Sequence, residues 1–208
     1  MCAYSEGIAN MIQVKVHEAV ATMRIKGLPN NVLDIQFLIK MQETLKQLEQ
    51  NTCVKGIVIS SANSVDASLE RDLLRMTIFP EYSQKQIMMT MWKVYRVMKM
   101  MVHSRKIYTA ALSGAVVGLV IPIIMACKYR FADETAWFGI PDFKHKGVLV
   151  GGSIDRIFSR AQVKQFHMSD RQLSVQKAIE GGFVHQIIKK CTVMDYADSF
   201  ARCVVQHS

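Results

Sequence analysis

The sequence has no apolar run long enough to cross a membrane. Its longest, Ala115 to Cys127, contains Gly118 and Pro122 and falls short of the roughly 20 residues a spanning helix needs. A core helix is the better reading. Met1 to Asn10 lacks the basic start and apolar stretch of a secretory signal. The cysteines (Cys2, Cys53, Cys127, Cys191 and Cys203) are odd in number and scattered without metal-ligand spacing. They argue against a disulfide framework or a zinc site, and for free thiols in a reducing cytoplasm. Phosphate loop, nucleophile motif and metal cluster are all missing, as is the aromatic-interleaved basic motif of nucleic-acid binders. Neither a metal nor a nucleic-acid partner is expected.

What is present is ordinary in bulk. The 208 residues are 50% hydrophobic and 21% charged, enough for one substantial core and short for two domains. A single domain over 1–208 is therefore expected. The net charge of +9 suits a nucleotide-bearing cofactor or an acidic carrier protein, or is a solvated basic surface without a role.

Hydrophobic periodicity predicts alternating strands and helices. Ile12 to Val16 alternates apolar and polar residues and Ala19 to Ile25 repeats the pattern, giving a hairpin. Gly27 to Asn31 is turn chemistry. A helix follows from about Leu33 to Gln50, with Leu38, Met41, Leu45 and Leu48 on one face, then a buried strand from Lys55 to Ser60. Thr77 to Lys106 is rich in methionine and base, with no acidic residue after Glu81. It reads as a long amphipathic helix with a Met-lined core face. Trp92, Tyr95 and Lys99 share one face, as do Met88, Met91 and Tyr95, and the basic side could meet phosphates or an acidic partner.

Farther on, Ile107 to Leu112 reads as a strand broken by Ser113-Gly114, and Gly118 to Cys127 as a helix buried on every side. Pro122 is tolerated in its first turn, where N–H groups have no intrahelical partner. Lys128 to Ala132 is a second strand, and Phe138 to Pro141 a turn that delivers Asp142. Gly147 to Gly152 is another turn, and Ser153 to Ser159 opens a helix that continues or restarts over Arg160 to Met168. Thr192 can cap a last helix, Val193 to Val205, with Val193, Tyr196, Phe200 and Val204 on one face.

In their order and spacing, Ser113-Gly114, Gly118 with its apolar helix, Cys127 to Ala132 (CKYRFA), Phe138-Gly139, Pro141-Asp142, Gly151-Gly152 and Leu173-Ser174 to Gly182-Phe183-Val184 resemble the crotonase superfamily of enoyl-CoA hydratases and isomerases. The resemblance covers about Ile12 to Ile188, and it implies a helix over Leu173 to Gly181 followed by a strand over Phe183 to Ile188. It implies an α/β fold, a spiral of ββα units with its core at about 12–188, a C-terminal helix at about 192–205, and a shortened C-terminal helical region. It also implies a homo-oligomer, a trimer or a dimer of trimers. The implied substrate is an acyl thioester of CoA or of an acyl-carrier protein, with no separate cofactor.

Roles carry over residue by residue. Enolising a thioester moves negative charge onto its carbonyl oxygen, which two backbone N–H groups must hold. Aligning the family pattern S-A-G-x-D-L-x-x-M on Asp72-Leu73 and Met76 lays Ser68 to Arg71 over S-A-G-x, so the Arg71 backbone is one donor. Leu119 is the other. Glu70 stands where the family has glycine, and Leu119-Val120 replace its second and third glycines. Leu69, Gly118 and Pro141 fall at substrate-binding positions. Read without the family, Ser68 to Met76 could equally begin a surface helix.

Hydratases of the family use two glutamates, whose positions here are Pro122 and Asp142. A proline moves no proton, so hydration is not expected. A single base at Asp142 suits double-bond isomerisation or decarboxylation, and CKYRFA resembles the Δ3,Δ2-enoyl-CoA isomerase branch. Asp142 is one methylene shorter than glutamate, and outside the family reading it is a loop carboxylate or a cap. His145, between Lys144 and Lys146, is a second candidate acid or base, or a solvated surface residue. Two other readings stay open: a catalytically degenerate crotonase-like binding or subunit protein, and an accessory enzyme acting on carrier-bound polyketide intermediates.

Overall fold

A computed structural model describes residues 12–25, 35–61, 74–76, 83–118, 120–139, 172–189 and 191–207. The first described elements form the expected hairpin, β1 (Ile12–His17) antiparallel to β2 (Val20–Ile25). Its turn residues Glu18 and Ala19 have φ of 46° and 63°, the left-handed values a two-residue hairpin needs, here met without glycine. The Ala19 carbonyl then accepts N–H bonds from Lys55 and Gly56, which fastens the turn to the next strand.

Helix α1 (Ile35–Gln50) buries Phe37, Leu38, Met41, Leu45 and Leu48, the stripe the periodicity predicts. Carbonyls at its C-terminal end and in the turn beyond it are served from a distant part of the chain. Lys106 Nζ donates to the carbonyls of Leu48, Asn51 and Val54 at 2.7, 2.6 and 2.7 Å. An ammonium is favourable there, because a helix end leaves carbonyls unpaired and partly negative. Lys106→Met keeps the stem and removes the donors. It is expected to lower the unfolding free energy by about 1–2 kcal/mol in urea denaturation; an unchanged curve would mean water serves those carbonyls equally well.

The remaining elements are β3 (Gly56–Ser61), β4 (Leu74–Met76), α2 (Gln84–Val102), β5 (Ile107–Leu112), β6 (Ala115–Gly118), α3 (Val120–Met125), β7 (Tyr129–Ala132), β8 (Trp137–Gly139), β9 (Gln172–Ser174), α4 (Val175–Glu180), β10 (Gln186–Ile187) and α5 (Val193–Gln206). They make two sheets, β1-β2-β3-β5-β7-β10 and β4-β6-β8-β9. Strands β3, β5 and β7 run parallel in the first sheet, and β4, β6 and β8 run parallel in the second. Strands β3, β5 and β7 of the first sheet are each followed by a strand of the second, β4, β6 and β8, and the successive pairs lie side by side. The fold is the α/β spiral of ββα units that the resemblance implies.

Several local expectations are corrected. Leu74–Met76 is a strand, so the surface-helix reading fails there. Ala115–Gly118 forms strand β6, and the buried helix is only Val120–Met125. Pro122 is its third residue, within the first turn as anticipated. Phe138 and Gly139, expected in a turn, belong to β8, where Phe138 pairs with Val116 and Leu173. Residues 172–174 are strand rather than helix, and the expected strand from Phe183 shrinks to Gln186–Ile187. Strands of two to four residues are too short to show an alternation, so periodicity does not mark them. The turn and helices expected within 147–168 lie outside the described residues.

The outer face of the first sheet is covered by α5. Thr192 caps it, its hydroxyl accepting the Asp195 N–H at 3.2 Å. The buried line is Val193, Ala197, Ala201 and Val205, not the larger side chains the sequence suggests. Tyr196 and Phe200 are partly buried and set ring edges against Phe131, while Phe200 also meets Tyr129. Small residues win because the helix lies close to the sheet: a Cβ on Gly56 would come within 3.0 Å of Val205 Cγ2.

Thr109 lies on this same side of β5, between Ile107 and Ala111, which both pack in the α5 cluster. It is fully buried, and its hydroxyl has no hydrogen-bond partner among the described residues. An unpaired buried hydroxyl is a net cost. Thr109→Val, nearly the same shape, is expected to raise stability by about 1 kcal/mol, read from the denaturant midpoint at unchanged slope. A loss of stability would reveal an acceptor.

Candidate active site

The second sheet arranges the candidate site. Because β4, β6 and β8 are parallel, their C-terminal ends share one edge. Met76 pairs with Gly118, and Val117 pairs with Gly139. From that edge the chain continues to Thr77 after β4, to Leu119 after β6 and to Ile140 after β8, with Pro141-Asp142 next. Arg71 comes before Leu74, on the N-terminal side of β4.

Of the residues singled out from sequence, Gly118 ends β6 and Pro122 is buried in α3. Leu69, Glu70, Arg71, Leu119, Pro141, Asp142 and His145 lie outside the described residues. The structure thus describes the frame from which those segments depart.

That frame is locked by a polar corner. Gly114 turns the chain from β5 into β6 with φ of 64°, a value that favours glycine. Ser113 Oγ donates to Asp133 Oδ2 at 2.5 Å across the two successive corners of the spiral. Asp133 Oδ1 accepts from the Thr135 N–H at 2.9 Å and from its hydroxyl at 2.5 Å. The Gly114 N–H donates to Thr135 Oγ1 at 3.1 Å, and the Trp137 N–H to the Gly114 carbonyl at 3.0 Å. These bonds tie the β5–β6 corner to the β7–β8 corner, so β8 stacks on β6 in one register. The Ser113-Gly114 turn is legible in sequence; its partner twenty residues on is not.

A second lock involves residues to which the sequence assigns no role. Arg130, within CKYRFA, donates to three carbonyls: Cys127 and Phe183 at 2.6 Å each, and Gly182 at 3.2 Å. Its backbone N–H donates to His185 Nδ1 at 3.1 Å. Partial burial and the Arg130 charge lower the pKa of His185, which favours the neutral ring able to accept that bond. Cys127 is fully buried, and burial pushes its thiol up to about 12, so it stays protonated and is no nucleophile. This cluster fastens the Gly182-Phe183-Val184 segment onto β7. The two motifs matched in sequence are therefore one structural joint.

Among the described residues no group of three or more His, Cys, Asp or Glu side chains could hold a metal ion. No described helix is long and apolar enough to cross a membrane.

Residues 15–208 match the enoyl-CoA hydratase/isomerase family. The chain belongs to that family. Bacillus subtilis YngF is 21% identical over 180 residues, which are 84% of this chain and 67% of YngF. A peroxisomal Delta(3,5)-Delta(2,4)-dienoyl-CoA isomerase of Arabidopsis thaliana is 24% identical over 183 residues, covering 79% of this chain and 63% of the plant protein. Among solved structures, Pseudomonas aeruginosa DspI superposes with a TM-score of 0.80 at 17% identity, over 96% of this chain and 81% of its own. At that identity the likeness is one of fold. The family thus takes in both hydratase and isomerase names, and the choice between them rests on residues of this chain.

Proposed function

We propose that this chain acts on acyl thioesters, of CoA or of an acyl-carrier protein, by stabilising an enolate, and that it shifts double bonds or decarboxylates rather than adding water. The observation that carries the choice is Pro122. It sits inside the buried α3, at the position the family resemblance gives to the first hydratase glutamate, and it offers no carboxylate to a water molecule. One base suffices for isomerisation. In a 3-enoyl thioester, Asp142 takes the proton from C2, and the electron pair moves toward the carbonyl oxygen. The proton returns at C4 as the double bond settles between C2 and C3.

The common edge of β4, β6 and β8 supports a site there, since the chain reaches Leu119 and Asp142 from neighbouring strand ends. For the oxyanion, the Leu119 backbone N–H is one donor. The β4–β6 register favours the N–H of Thr77, which follows Met76, over that of Arg71 as the second. Two donors must reach one oxygen at hydrogen-bond distance, and Met76 and Gly118, which precede Thr77 and Leu119, are paired across the sheet.

A second reading has a specific observation behind it. The same proline, with Leu119-Val120 in place of the family's glycines, also suits a protein that binds thioesters without reacting them. The two readings part in D2O. Incubation with butyryl-CoA and 3-hexenoyl-CoA is expected to give deuterium uptake at C2 and double-bond migration, with no hydration of crotonyl-CoA. Binding without exchange, on CoA and carrier-protein thioesters alike, would favour the silent binder. Hydration at ordinary rates would sink the single-base reading.

A further inference from the structure

The side of α2 turned away from the core is both apolar and basic. Lys85, Met88, Trp92, Tyr95, Lys99 and Val102 recur at alternating steps of three and four residues, one continuous line on a helix. Met88 is 68% exposed, Trp92 56%, Tyr95 55% and Val102 62%. The core contact lies on the other side, where Val94, Val97, Met98 and Met101 are buried. Met88, Met91 and Tyr95, one of the faces anticipated for a methionine-lined core, therefore divide: Met91 is half-buried, and the other two face solvent. A helix with a filled inner seam and a second outer seam is unusual on a surface, and an exposed apolar line of this kind marks an interaction site.

Its electrostatics narrow the occupant. No Asp or Glu occurs anywhere from Tyr82 to Ala132. Arg96 lies over the Trp92 ring, 4.6 Å from its centroid. Lys85 and Lys99 stand in the apolar line itself and bracket Met88, Trp92 and Tyr95. Pairing with the same face of a second copy would set Lys85 against Lys99 in an antiparallel arrangement, or each lysine against itself in a parallel one. Either way ammonium groups meet in a desolvated seam, which opposes association. A lipid surface fits poorly as well. Insertion wants an unbroken apolar face with cations at its border, whereas here lysines interrupt the line and a guanidinium covers the indole.

We propose that this face binds an acidic amphipathic helix of a partner protein. The partner's apolar side rests on Met88, Trp92 and Tyr95, and its carboxylates meet Lys85, Arg96 and Lys99. The stretch from Lys85 to Lys99 is about 21 Å long at 1.5 Å per residue, so a partner helix of roughly four turns spans it. Trp92 is the anchor, because a large exposed aromatic ringed by cations is the kind of residue that dominates such contacts. The inference is independent of the chemistry at the strand ends.

The test uses the full chain and a fluorescein-labelled peptide of about 18 residues, matched to the face, with leucine at heptad a and d and glutamate at e and g. Anisotropy is expected to report binding that weakens with salt. Trp92→Ser, and separately Lys85→Glu combined with Lys99→Glu, should each weaken it at least about tenfold. All three positions are exposed, so unchanged thermal midpoints are expected and would confirm folded variants. A lysine-for-glutamate peptide should not bind. No binding of the acidic peptide, or binding that both variants leave intact, overturns the proposal. Trp92-dependent co-sedimentation with vesicles of equal parts phosphatidylcholine and phosphatidylserine, without peptide binding, would transfer the face to lipid. A Trp92-dependent dimer in sedimentation would transfer it to a second copy.

Discussion

Replacing Asp142 with alanine is expected to cut C2 deuterium exchange and 3-hexenoyl-CoA isomerisation by about three orders of magnitude, the scale of a lost general base. Affinity for butyryl-CoA, measured by calorimetry, should change little, because the role proposed for the carboxylate is at the C2 proton and not at the nucleotide or the pantetheine arm. Asp142→Glu keeps the carboxylate, restores the side-chain length the family uses, and should retain exchange to within about tenfold of the parent. That pair of variants separates a base from a structural carboxylate, since a structural role would move affinity or thermal midpoint and not the rate alone. Exchange at the parent rate in Asp142→Ala would sink the assignment, and His145→Ala would then be the next variant to measure.

The second large effect concerns backbone donors, which side-chain replacement does not reach. Proline removes the N–H at its own position and holds the preceding residue in extended backbone. Met76 and Gly118 are already in strands, so proline at the following positions disturbs neither strand's conformation. Thr77→Pro and Leu119→Pro are each expected to lower kcat by about 10²–10³-fold, the loss typical of one oxyanion donor. Thr77→Ala and Leu119→Ala keep their N–H groups and should stay near the parent rate. Arg71→Pro should also stay near it, because Arg71 comes ahead of β4 whereas Met76 ends level with Gly118. The reverse pattern, with Arg71→Pro inactive and Thr77→Pro active, would restore the assignment made from the family's sequence pattern. Thermal midpoints of all five variants separate lost donors from lost fold.

How legible each element is depends on length and on how many faces it buries. Helix α1 is long and buries one side, so Leu38, Met41, Leu45 and Leu48 announce it. The β1–β2 hairpin also alternates in sequence, although Val14 and Val16 of β1 are exposed. Strands β6 and β8 are three or four residues long and lie in the interior of a sheet. Ala115 to Gly118 therefore reads as the lead into a helix, and Phe138-Gly139 as a turn. The outer helix misleads in the opposite way. Its large residues suggest a Val193–Tyr196–Phe200–Val204 face, but the line buried against the sheet is Val193, Ala197, Ala201 and Val205, with Val205 over Gly56.

The candidate site divides along the same line. Pro122, Asp142 and the missing glycines are visible as letters, and they are enough to disfavour hydration once the family is recognised. The neighbourhood of Gly118 and Met76 is not visible, because it is a strand register formed between segments far apart in the chain. Sequence alone determined the alternation of strands and helices, the family, and the proline at position 122 on which the single-base proposal rests, since each is a local pattern or the identity of a residue. Tertiary structure alone decided which strand ends are level, which corners are bonded through Ser113, Asp133 and Thr135, and which side of α2 meets solvent. Those depend on parallel pairing and packing between distant segments, where free energy comes from contacts that no local pattern encodes.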